Sequence, residues 1–148
     1  MVKKQHGVTL IELIITITLL GILAAKIVPL GRTWIANTQI SNAEKLLVEA
    51  LGKARNEALK NPEGFIGSTT PVATIKVNNT SKEIVVENGK ATPTILWKAQ
   101  IPATVSINFG PTSCTTNTMQ FNNNSQNIST CSTYTITANG GTNAEGNL

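Results

Sequence analysis

Apolar and polar positions along this chain fall into three successive textures. From Val8 to Ala25 nearly every position is apolar. A helix over those 18 residues is about 27 Å long, close to the roughly 30 Å hydrocarbon core of a bilayer. From Trp34 to Lys60 the apolar positions thin to one face. Ile40, Ala43, Leu47, Ala50, Leu51, Ala54 and Ala58 recur at three- and four-residue steps, which predicts an amphipathic helix. Asn61-Pro62 stops it, with Gly64 just beyond. After Gly67 the period shortens to that of strands. Residues 72–77 and 83–86 read as a hairpin across Asn78–Lys82, and 94–97, 104–109, 118–121 and 132–137 follow at turn-rich spacing.

The pattern predicts an α+β fold. A long N-terminal α-helix, membrane-spanning in its first half and amphipathic in its second, packs its stripe on a C-terminal antiparallel β-sheet or small sandwich. The expected divisions are a basic head at 1–7, an apolar helix at 8–30 and an amphipathic helix at 31–62. A β domain at 63–138 and a flexible tail at 139–148 complete the chain.

Three residues interrupt the apolar helix. Glu12 puts a carboxylate where insertion costs on the order of 2.5–3.5 kcal/mol at mid-membrane and less near an interface, so it calls for a partner. Gly21 costs about 1 kcal/mol relative to alanine in a helix interior. Pro29 cannot donate to the carbonyl of Ala25, a local defect of about 3 kcal/mol. The two together predict either a simple kink or a segment able to unwind.

Composition narrows the chemistry. Charged residues make up 14 %, the formal charge is +4, and there is no aspartate. Lys3 and Lys4 lie in the basic head and hold that flank on the cytoplasmic side. Without them the charge falls from +4 to +2. The single histidine, His6, is also in the head. Acid–base catalysis would rest on glutamate alone, and no activated serine, phosphate-cradling glycine loop or metal-ligand cluster is present in the sequence. The chain therefore reads as no enzyme, with no cofactor and no metal. No lysine or arginine follows Lys98, which argues against DNA binding.

The segment Gly7-Val8-Thr9-Leu10-Ile11-Glu12 and its apolar continuation to Ala25 resemble the class III signal of type IV pilins and type II secretion pseudopilins. A conventional signal peptide would instead place an Ala-x-Ala site after the apolar run, and Ala24-Ala25-Lys26 is a poor one. The resemblance implies that residues 1–7 are a prepilin leader, cut by prepilin peptidase after Gly7. It implies N-methylation of the new terminus Val8, where the family usually has phenylalanine. It makes Glu12 the carboxylate that meets a neighbouring subunit's N-terminal amine in the filament, and the stretch from Gly21 to Pro29 a place where the helix unwinds on packing. A second, patchier resemblance links Ala54-Arg55-Asn56-Glu57-Ala58, residues 101–110 and Met119-Gln120-Phe121 to the H-type pseudopilins and FimT/FimU-like minor pilins.

With the leader cytoplasmic, the C-terminal domain is expected in the periplasm of a bacterial inner membrane before assembly and in a pilus or pseudopilus afterwards. Cys114 and Cys131 then face an oxidising compartment, where a disulfide is the expectation. The expected function is structural: a minor pilin at the tip or start of a type IV pilus, stacked through its helix. An H-type secretion pseudopilin, a major pilin and a DNA-uptake pilin are the alternatives. Expected partners are prepilin peptidase, other major and minor pilins or pseudopilins, the inner-membrane platform and membrane lipid.

Overall fold

One helix dominates the computed structural model, which describes residues 7–111, 114 and 116–148. Lys3, Lys4 and His6 lie outside the described residues, so the expectations for the basic head rest on sequence. Helix α1 runs unbroken over Leu10–Lys60, 51 residues, with Pro29 inside it. The two predicted helices are thus one element. Its start is set by Thr9, extended at φ −77° and ψ 151°, whose hydroxyl accepts from the Glu12 amide. Its end is set by Asn61 in the left-handed region (φ 39°), whose amide returns to the Glu57 carbonyl.

Only the second half of α1 has a buried face. Every residue from Gly7 to Ile35 is exposed. From there Ala36, Ile40, Ala43, Leu47, Ala50, Ala54 and Ala58 are buried in steps of three and four. Of the stripe read from sequence only Leu51 stays half-buried, and Ala36 joins it. Alanines let the helix axis come close to the strands beneath, and α1 touches all seven of them.

Those strands are β1 (Ala73–Asn78), β2 (Glu83–Asn88), β3 (Ile95–Gln100), β4 (Val105–Gly110), β5 (Thr118–Phe121), β6 (Thr133–Ala138) and β7 (Ala144–Asn147). They form two antiparallel sheets, ordered β3-β2-β1-β5 and β4-β6-β7. Inward positions alternate as a half-buried sheet requires: Ile75 and Val77, Ile84 and Val86, Val105, Ile107 and Phe109, Met119 and Phe121, Tyr134 and Ile136. They close over the helix stripe as one core.

Asparagine side chains join the sheets. Asn79, at the β1–β2 turn, donates from Nδ2 to the Ile107 carbonyl (2.9 Å) and accepts the Ile107 amide at Oδ1 (3.0 Å). Asn117 donates to the same carbonyl (2.8 Å) and accepts from the Phe109 amide (2.7 Å). Lys82 Nζ donates to the Val105 carbonyl (2.7 Å). The outer edge of β4 therefore has its ladder partners supplied by side chains, which covers an edge that would otherwise template pairing. Asn122 is a further hub, 1 % exposed, donating to Ser68 O and accepting from the amides of Asn124 and Gln126.

The tail expected to be flexible is ordered, and the β domain extends beyond 138. Residues 144–147 pair with β6, from Thr133↔Asn147 to Ile136↔Ala144. Gly141 presses on the helix, where a Cβ would come within 2.8 Å of Ile40 Cδ1, and Thr142 donates its amide to Asn37 Oδ1 (2.8 Å). A segment poor in apolar residues is held by backbone pairing and close approach.

Candidate functional site

The residues singled out by sequence lie along the exposed half of α1 and in the distal loops, in two separate places. Gly7 and Val8 precede the helix in irregular backbone, and both are exposed. Val8 shows 73 % of its surface, so the bond between them stands open at the end of the chain's longest element.

Glu12 occupies the third helical position, three residues after the cap. The Thr9 hydroxyl accepts the Glu12 amide at 3.3 Å, and its oxygen lies 3.5 Å from Glu12 Oε2. This is the spacing of a capping box, with the carboxylate beside the positive end of the helix dipole. The sequence signal was Thr9-x-x-Glu12, and reading Glu12 only as a lone acid in an apolar run missed Thr9. The other polar groups of this half are satisfied within the helix. Thr16 donates to the Leu13 carbonyl and Thr18 to the Ile14 carbonyl, both at 2.7 Å. Among the described residues Glu12 forms no ion pair.

A Cβ at Gly21 would meet nothing within 4 Å, so no contact among the described residues requires glycine there. Pro29 lies eight residues on, within continuous helix. The helix from Leu10 is long and apolar enough to cross a membrane, and its most apolar window is wholly exposed.

The folded end carries the other residues. Cys114 and Cys131 form a disulfide with Cα atoms 5.0 Å apart, tying the β4–β5 connection to the start of β6. Arg55 sits 5.8 Å above the ring of Phe121, and Lys53 lies 5.9 Å from the ring of Trp97, so cations flank the helix end on both sides. Tyr134 donates to Glu44 Oε1 (2.7 Å), joining β6 to the helix. That hydrogen bond, with burial and the carboxylate's charge, raises the tyrosine hydroxyl above its usual value near 10.0. No group of three or more metal-ligating side chains occurs among the described residues.

Residues 2–25 match the family described as the prokaryotic N-terminal methylation motif. A fimbrial protein of Pseudomonas aeruginosa is 39 % identical over 69 residues, 47 % of this chain and 44 % of its own. A type IV major pilin protein, PilE1 of Neisseria gonorrhoeae, is 40 % identical over 98 residues, 62 % of this chain and 58 % of its own. The chain thus spans about half the length of the curated relatives it matches. No solved structure matches it.

Proposed function

We propose that the chain is a structural subunit of the type IV pilin kind, supported by the N-terminal methylation motif and the pilin relatives, anchored by its helix in the inner membrane and assembled from there into a filament. The observation that carries this reading is the exposed apolar half of α1. Residues 10–35 present exposed large side chains such as Leu13, Ile17 and Leu20, none of them buried among the described residues. Lipid covers them before assembly, and helices of neighbouring subunits cover them afterwards.

In this reading prepilin peptidase cuts after Gly7, Val8 becomes the methylated terminus, and Glu12 supplies register. Its charge is balanced only when a neighbour's Val8 amine lies opposite. Before that, Thr9 and the helix dipole hold the carboxylate in place. Gly21, which the subunit does not need for packing, and Pro29, which removes a helix hydrogen bond, mark the stretch that unwinds when helices pack.

Within a type IV pilus the subunit is proposed as a minor one, at the tip or start, supported by the resemblance around Arg55 and Glu57. The names of the relatives favour a second reading, the major subunit. An H-type secretion pseudopilin would use the same helix. Mass spectrometry of filaments sheared from cells separates the three. Trace amounts beginning at Val8 support the minor subunit, near-equimolar amounts the major one, and absence from pili with processed protein in the membrane the pseudopilin. Glu12→Ala is expected to leave processing intact and to lower incorporation at least tenfold; normal incorporation would sink the register role.

A further inference from the structure

A groove lies where the exposed half of α1 meets the folded domain, lined by Arg32, Ile35, Ala36, Gln39, Thr104 and Asn139. We propose that this groove holds the phosphate-bearing headgroup of an anionic phospholipid, with an acyl chain running down the helix beside it, so that the domain is docked on the bilayer before assembly. The proposal rests on the membrane-anchoring reading above and deepens it.

Position is the first argument. From Leu10 to Arg32 the helix rises about 33 Å, enough to cross the roughly 30 Å hydrocarbon layer and enter the headgroups on the far side. Burial begins four residues on, at Ala36, so the groove sits at the foot of the domain. Trp34, 71 % exposed, lies at the same depth, where aromatic residues favour the interface.

Charge is the second. Lys53, Lys76, Lys90 and Lys98 are each in an ion pair, Lys82 is on the Val105 carbonyl, and Arg55 is over Phe121. Arg32, like Lys26, Lys45 and Lys60, forms no ion pair among the described residues, but of these four only Arg32 lines the groove, and no acidic residue lines it. The planar fork of Arg32 suits a phosphate in a way an ammonium does not. Beside it the Thr104 hydroxyl donates to Gln39 Oε1, which leaves the Gln39 amide nitrogen to donate outward. The floor is the third argument. Ile35 lines the groove, and Val28, one turn nearer the bilayer centre on the face of Arg32, is exposed and continues into the apolar surface of the residues before it, where an acyl chain would lie, so a lipid fits better than free phosphate.

The test uses the full chain in phosphatidylcholine vesicles with and without phosphatidylglycerol. Flotation is followed by native mass spectrometry in mild detergent. Wild type and Lys26→Gln are expected to retain one phosphatidylglycerol, and Arg32→Gln to retain about tenfold less, in line with a lost charge-assisted contact. Lys26 is a cation of the same helix outside the groove. Equal losses in the two variants would mean diffuse attraction to a charged surface and would overturn the site. So would a chain that floats but retains no lipid, or one in which Arg32→Gln abolishes self-association instead, which would give the groove to a second copy. A chain that does not float would overturn the anchoring reading, and the site with it.

Discussion

Residues 10–35 and 36–60 are one hydrogen-bonded helix in two environments. The first half shows large aliphatic side chains in every direction, with Leu20 64 % exposed. The second buries one stripe in which five of seven residues are alanine. Large residues fill a half that makes no packing contacts with the folded domain, as the proposed covering by lipid tails or other helices requires. Small ones serve a half whose neighbour is a fixed sheet, because they let backbone approach backbone. Stability of the fold is thus vested in the second half, and the proposed capacity to assemble in the first.

The sharpest way to break this comparison is the same substitution in both halves. Leu47→Ala is expected to lower domain stability by about 2–5 kcal/mol. Leu20→Ala should stay within about 0.5 kcal/mol. Urea unfolding in micelles, followed by Trp97 fluorescence in a Trp34→Phe background, reads both. Equal losses would mean that the first half has a partner inside the chain.

Opening the Cys114–Cys131 disulfide comes next. It closes a 17-residue separation, and its loss should cost about 3 kcal/mol in the chain-entropy description, with the exposed half of α1 unaffected. Ala50→Leu tests the close approach of helix and sheet, with an expected cost of about 1–3 kcal/mol from overpacking, against none for Ala24→Leu. Protease resistance of the domain gives the same ranking.

The smallest effect concerns Tyr134. Its hydroxyl holds its proton more tightly folded than unfolded, so the contribution is complete below about pH 10 and is lost as pH rises through the raised folded value. Wild-type urea midpoints should therefore fall above pH 10. Tyr134→Phe should be less stable by about 1–2 kcal/mol at neutral pH and show a shallower fall.

Much of this architecture was legible in the chain. The stripe from Ile40 to Ala58 announced the buried face, Asn61-Pro62 the stop, and the alternation in 72–77 and 83–86 the first hairpin. The division into two sheets was not legible, because it depends on which strands Asn79 and Asn117 bring together, and polar loop residues carry no periodicity. Strand β7 was hidden for a related reason. Ala-Glu-Gly-Asn has no strand signature, and Gly146 makes sense only beneath the ring of Tyr134, where a Cβ would approach within 2.6 Å. At the N-terminal end Glu12 stood out as an acid in an apolar run, and its contact with Thr9 needed the helix boundary.

The asparagines that close the edge of β4 also set a limit on how this domain ages. A primary amide both gives and accepts a hydrogen bond, and the Ile107 peptide group uses both abilities of Asn79. Slow hydrolysis to a carboxylate would keep the accepting oxygen, turn the donor into a second acceptor, and set negative charge against the Ile107 carbonyl. No enzyme or change of solvent is needed for that conversion. The seam between the sheets is therefore a place where a long-lived copy of this chain would come to differ from a newly made one.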